Sequence, residues 1–166
     1  MVTLETARLR LRPFREDDLD DYARICADAE VMRHLGEGRP LSRADAWRQL
    51  AFFLGHWQLR GYGQWAAELK GTGACVGRIG LHNPEGWPGL EVGWLLDRSC
   101  WGRGLATEGG RAALDHAFTR LGADHVISVI RPDNARSVRV AQRVGERLER
   151  RDTVNGIEVL IYGVGR

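Results

Sequence analysis

The sequence predicts a mixed α/β fold: one sheet of six to seven strands flanked by about four helices. Three observations predict it. Short segments alternate apolar and polar residues, stretches of helical periodicity fall between them, and clusters of Gly, Pro and Asn separate most of the segments. With 166 residues, 43% of them hydrophobic and 28% charged, the chain is large enough for a core of its own and reads as a single domain over residues 1–166.

The elements follow in order. "RLRLRPF" (8–14) alternates as a strand with Leu9 and Leu11 on one face. "REDDLDDYARICAD" (15–28) reads as a helix whose acidic first turn suits the helix dipole. A second helix opens at Ser42, where "SRAD" resembles a capping box, and Trp47, Leu50, Ala51, Leu54 and Trp57 follow at near-helical spacing. Strands are predicted over 62–70, 74–82 and 90–97. The turns "GTG" and "NPEGWPG" between them suit antiparallel neighbours. "SCWGRGLATEGGRAAL" (99–114) leads into a helix with the stripe Ala106, Ala113, Leu114, Ala117, Phe118 and Leu121. "HVISVI" (125–130) is a buried-type strand stopped by "PDN". A short helix covers 134–144, and strands near 146–153 and 157–164 finish the chain. The strand–helix–strand unit from 90 to 130 is expected to be a right-handed parallel crossover.

Composition excludes several classes. Cys26, Cys75 and Cys100 form no CxxC pair and are odd in number, which argues against a disulfide framework. The five histidines show no ligand spacing, so no metal is expected. A net charge of +2 gives no general field for nucleic acid. No apolar run approaches the ~20 residues that span a bilayer, and the first residues lack a signal-peptide stretch. The expectation is a cytoplasmic protein, monomer or homodimer, with neither nucleic acid nor membrane as partner.

Gly102, Gly104, Gly109 and Gly110 crowd a segment where a helix begins. Glycine weakens helices, so these positions ask for a tight turn, a close packing contact, or a ligand that touches bare backbone. A glycine turn between a strand and a helix has the geometry of a phosphate site. It is not the ATP-type loop, which needs Gly-Lys-Ser/Thr, because Lys70 is the sole lysine. Nor is it a dinucleotide fingerprint, since Thr107 stands where the third glycine belongs and Asp124 precedes the following strand instead of ending it.

"EVGWLLDRSCWGRGLATEG", followed by "RPDNARSVRVAQRVG" and preceded by "TARLRLRPFREDDLDDYARI", resembles the Gcn5-related N-acetyltransferases (GNAT), in particular their ribosomal-protein (RimJ/RimL-like) branch. The resemblance covers nearly the whole chain. It implies an acetyl-CoA-dependent N-acetyltransferase in which acetyl-CoA is donor and coenzyme A is product. It also implies that Trp101, Gly102, Arg103, Gly104, Leu105, Ala106 and Thr107 wrap the pyrophosphate. Trp94, Leu95 and Leu96 would offer backbone contacts to the acetyl and pantetheine groups from a distorted strand that Gly93 permits. Asn134 would contact the pantetheine arm, unless it is simply an N-cap. Glu91 stands where that branch keeps a general base, and Ser137 where it keeps a hydroxyl beside the leaving sulfur. The chain departs from the family pattern at Gly109 and Gly110, usually alanines, and at Ser99, often Gln or Arg.

The acceptor implied is a primary amine. At pH 7 roughly a tenth of a protein α-amine with pKa near ~8 is neutral, against under ~0.1% of a lysine near ~10.4. A modest base working through water therefore suits an N-terminal α-amine best. The alternatives are a small-molecule amine (antibiotic, polyamine or amino-acid derivative) and a non-catalytic acyl-CoA-binding module. Arg136, Arg139, Arg143 and Arg147 are expected on one side of the last helix, mainly as a solvated face with one of them able to meet the 3′-phosphate of coenzyme A. Asp17, Asp18, Asp20 and Asp21 read as a solvated acidic face, Trp47, Trp57 and Trp65 as core or groove wall, and Cys100 as inert packing.

Overall fold

The computed structural model describes residues 1–166. Its strands are β1 (Leu4–Glu5), β2 (Leu9–Arg12), β3 (Gln64–Leu69), β4 (Cys75–His82), β5 (Glu91–Leu96), β6 (His125–Ile130), β7 (Arg147–Val154) and β8 (Ile157–Gly165). They form one eight-stranded sheet in the order β1-β2-β3-β4-β5-β6-β8-β7. All neighbours are antiparallel except β5 and β6. The helices are α1 (Leu19–Cys26), α2 (Ala29–Met32), α3 (Arg43–Arg60), α4 (Leu105–Thr119) and α5 (Ala135–Val144). No helix is long and apolar enough to cross a membrane.

The mixed α/β architecture is as expected, with one more strand and one more helix. The extra strand is β1, two residues that pair with β2. The extra helix is α2, four residues opened by the Asp28 side chain, which accepts from Glu30 N. The expected helix over 15–28 begins instead as a 3₁₀ turn, Glu16–Asp18. Asp18 is no part of a solvated face. It is buried and takes two 2.7 Å bonds from the Arg12 guanidinium, whose Nε also meets Glu68 at 2.6 Å.

Helix α3 starts as predicted, with Ser42 Oγ accepting from Asp45 N at 3.1 Å, and it stops at Gly61 in the left-handed region. Its buried face is rotated one position from the expected stripe. Ala46, Leu50, Phe53 and Trp57 point inward at i, i+4, i+7 and i+11, while Trp47 is 48% exposed. This face and α1 cover one side of β3–β5 through Phe14, Tyr22, Ile25, Ala66 and Leu95. On the opposite side α4 lays Leu105, Ala113, Leu114 and Ala117 against Trp65, Ile79, Leu81 and Val92. The β7–β8 hairpin turns at Asn155 and Gly156, both with positive φ, and Cys100 is buried in the core.

The two helical glycines are packing positions. A Cβ on Gly109 would run into Ile79 of β4, and one on Gly110 would sit 3.2 Å from Val144 Cγ1 and 3.8 Å from the Trp94 ring. They let α4 lie close to the sheet and to α5.

Candidate active site

The parallel pair β5–β6 is joined at a single register point, Glu91 opposite Ile127, where Ile127 N donates to Leu90 O at 2.8 Å. The next rung of a parallel ladder would join Val129 N to Val92 O. Side chains take both groups instead. Val129 N donates to Glu91 Oε1 at 3.4 Å, and Ser128 Oγ donates to Val92 O at 2.8 Å. The strands part from here on, and the gap between them is the centre of the site. Backbone groups alternate in direction along a strand, so the N–H groups of Trp94 and Leu96 point into the gap on the same side as Leu90 O and Val92 O. Leu95, an expected backbone contact, is not among them. It pairs with Arg78 on β4, and its side chain is buried under α1 and α3.

On one side of the gap lies a groove of about 210 Å³ lined by Trp94, Leu96, Trp101, Gly102, Gly104, Leu105, Ala106, Thr107, Asn134 and Ser137. None of the amides of residues 102–107 donates to another group of the protein, as befits a loop running into the first turn of a helix. Gly102 and Gly104 have φ of +72° and +78°, and a Cβ at Gly102 would meet nothing within 4 Å. The left-handed φ at both positions is what calls for glycine, and the open space beyond Gly102 leaves the turn accessible. Arg103 faces away from the groove, its carbonyl held by Arg8 Nη1 at 2.8 Å. The same Arg8 pairs with Glu108 at 2.7 Å, and its Nη2 lies 3.5 Å from where a Gly104 Cβ would stand. Arg136 stacks over the Trp101 ring at 3.9 Å, and Arg139 and Arg143 continue the same wall. These three line the groove and are not merely a solvated face, whereas Arg147 lies beyond α5, at the start of β7. The open groove, free amides and basic wall fit the diphosphate and 3′-phosphate of coenzyme A.

On the other side lies a cavity of about 350 Å³. It shares His34, Leu35, Trp94, Asn134 and Ser137 with the groove, so the two adjoin at the gap. Glu91 stands in this cavity. Its Oε2 accepts from Trp87 Nε1 at 2.8 Å, and burial pushes its pKa up to about 7 against the opposing pull of Arg78. At the junction, Trp94 Nε1 donates to Ser137 Oγ at 3.2 Å, which leaves the Ser137 proton free to point at a ligand. Asn134 caps α5, its Oδ1 accepting from Ser137 N at 3.2 Å, and its Nδ2 stays free as a donor. The capping role and a ligand role are thus compatible.

Beneath Ser128 lies a second buried carboxyl. Glu146 Oε1 is 3.0 Å from Ser128 Oγ, and Oε2 has no partner. The one Ser128 proton is shared between two acceptors, Val92 O at 2.8 Å and Glu146 Oε1 at 3.0 Å. Burial, with Glu91 and Glu149 nearby, raises its pKa to about 8. Trp87, Arg78, Gln64, Ser128 and Glu146 escaped the sequence reading. Trp87 was hidden in a turn motif, but a lone serine within "HVISVI" and an acid opening a terminal strand were available signals.

Residues 8–147 match the model of the acetyltransferase (GNAT) domain. The chain is 31% identical over 150 residues to the uncharacterized protein YkkB of Bacillus subtilis (strain 168), covering 86% of this chain and 83% of that one. Its fold superposes on an acetyltransferase from Agrobacterium tumefaciens str. C58 with a TM-score of 0.88 and 32% identity, over 100% of this chain and 95% of the other. Mycobacterium smegmatis RimJ, solved in complex with CoA-disulfide, shares the fold at a TM-score of 0.80 and 21% identity, over 99% and 87% of the two chains.

Proposed function

The chain belongs to the GNAT acetyltransferases, and we propose that it works in the manner of the RimJ/RimL-like branch, passing an acetyl group from acetyl-CoA directly to a protein N-terminal α-amine. Acetyl-CoA-dependent acyl transfer follows from the family; the acceptor and the residue roles are our reading. The observation that carries it is Glu91, a carboxyl with pKa about 7 standing at the gap through which the cavity meets the groove. A base of that strength is matched to neutral pH.

In this reading the amides of residues 102–107 hold the diphosphate and Asn134 Nδ2 holds the pantetheine arm. Bound acetyl-CoA supplies an activated thioester carbonyl. The amides of Trp94 and Leu96 are the donors aimed at that carbonyl oxygen, where negative charge grows during attack. As the N–C bond forms and the C–S bond breaks, Glu91 receives the amine proton, directly or through one water. The Ser137 hydroxyl hydrogen-bonds the departing sulfur. An α-amine needs only this modest help, whereas a lysine would need far more.

A small-molecule amine is the second reading, favoured by the modest volume of the acceptor cavity, about 350 Å³. A panel of N-terminal peptides and small amines, scored for coenzyme A release, tests both. The α-amine reading expects turnover on peptides to exceed that on small amines. Turnover confined to free small amines overturns it.

A further inference from the structure

The acceptor cavity is lined by a cation that forms no salt bridge. Arg78 projects from β4 and no carboxylate lies within ion-pair distance; its Nε is buried and unpartnered. It rests against the Phe53 ring, 5.3 Å from the centroid, beside the Tyr22 hydroxyl. Across the strands, Gln64 is 2% exposed, lines the same cavity, and has an Oε1 with no partner. Nearby His82 adds no charge, because burial together with Arg78 and His56 lowers its pKa to about 3.

These groups converge on one place. Gly93 faces the cavity, and a Cβ built there would lie 3.6 Å from Gln64 Nε2, 3.6 Å from Glu91 Oε1 and 3.9 Å from Arg78 Nη1. The missing side chain leaves a space bordered by one carboxylate and two nitrogen donors. The Arg78 side chain is half-buried with its Nε orphaned, and a ligand that supplies an anion at this place gives the guanidinium a partner.

We propose that the acceptor is an amino-carboxylate: its amine meets Glu91 while a carboxylate held close to that amine is bound by Arg78 and Gln64 above Gly93. This deepens the reading of the Glu91 side as the acceptor side and rests on it. Both anchors lie within 4 Å of the position a Gly93 Cβ would take, so the amine and the carboxylate must sit close together on the ligand. Two sources have this chemistry: the α-carboxylate of a free amino acid, and the side chain of an acidic residue at the start of a peptide. Arg78 reads the carboxylate as a fork of N–H donors, a geometry a lysine cannot reproduce.

The experiment uses two isosteric pairs, alanine against alaninamide and C-terminally amidated tetrapeptides beginning with Asp against Asn. Binding is measured by calorimetry in the presence of coenzyme A, and turnover by coenzyme A release. The carboxylate member of one pair should bind about thirtyfold tighter than its amide partner, the scale of a charge-assisted contact. Arg78→Gln should collapse that ratio to near one, and Arg78→Lys should restore only part of it. The pair that shows the preference identifies the source. Equal binding within both pairs in the wild-type protein overturns the proposal. So does an Arg78→Gln protein that loses both members of a pair equally and shifts the pH profile, since Arg78 would then serve only to tune Glu91. Preferential binding of the carboxylate members without any coenzyme A release would leave this inference standing and count against Glu91 as the transfer base.

Discussion

The two sides of the β5–β6 gap are built from different materials. The groove side meets its ligand chiefly with main chain: free amides at 102–107 and two more at Trp94 and Leu96, backed by an arginine wall. The amides come from one stretch of sequence, residues 94–107, while α5 supplies the basic wall of Arg136, Arg139 and Arg143. The cavity side is side chain, with Gln64, Arg78, His82, Trp87 and Glu91 contributed from three strands and a turn. A surface of amides suits a partner with fixed chemistry, such as a diphosphate, and is damaged by added bulk. A surface of charged and aromatic side chains can be retuned for another acceptor by single substitutions, and is damaged by changes of charge.

Glu91→Gln should give the largest effect and the cleanest separation of the two sides. The amide keeps an oxygen for Trp87 but cannot take a proton, so kcat/KM at pH 7 should fall by about 10²–10³, with acetyl-CoA affinity unchanged by calorimetry. Only the ionised carboxyl is a base, so wild-type kcat should rise with pH through about 7 and then level off. The variant should lack that step. A variant with the wild-type profile would remove Glu91 from the chemistry.

Gly104→Val attacks the other side. At φ +78° a branched side chain is strained, and it would press on Arg8 Nη2, 3.5 Å from its Cβ, so the turn that presents the amides must shift. Acetyl-CoA affinity should drop about tenfold or more, accompanied by a lower melting temperature. Unchanged affinity in a folded variant would break the claim that the groove works through bare backbone.

Glu146→Gln probes the hinge of the gap. Folded Glu146 keeps its proton up to about pH 8, whereas the unfolded carboxyl releases it near its ordinary 4.5. The folded state thus binds more protons over that interval, and stability from this group falls as pH rises through it. The wild-type melting temperature should decline from about pH 5 to 8, and Glu146→Gln should lessen that decline, leaving the part that Glu91 contributes up to about pH 7. A profile that is flat in both proteins would contradict a buried neutral acid.

The smallest effects belong to the helical glycines, which lie outside the contrast. Gly109→Ala should destabilise by about 1–2 kcal/mol through its clash with Ile79, with kcat unchanged. Gly110→Ala, whose new methyl meets a side chain able to yield, should cost less in thermal melts.

What could be read from the sequence divides along the same line. The strands and helices were legible because alternation, the Ser42 cap and the glycine turns are local signals. The groove was legible too, since "WGRGLAT" carries its geometry in consecutive residues. The inward turn of Asp18 was not, because its partner Arg12 lies in a separate element and the acid looks like any other in an acidic run. The α3 face was misjudged by one position, as apolar residues at 46, 47, 50 and 51 satisfy two helical stripes and only the packed core selects one. Arg78, Trp87 and Gln64 acquire meaning only when β3, β4 and β5 align, and no spacing along the chain announces that alignment.

The most direct test of the two-sided site is a ¹⁵N–¹H amide titration with coenzyme A. The account predicts that the amides of Gly102–Thr107, Trp94 and Leu96 shift most, while those of Gln64, Arg78 and His82 on the far side of the gap barely move. Saturable binding that leaves the 102–107 amides in place, or that shifts the far-side amides most, would contradict it.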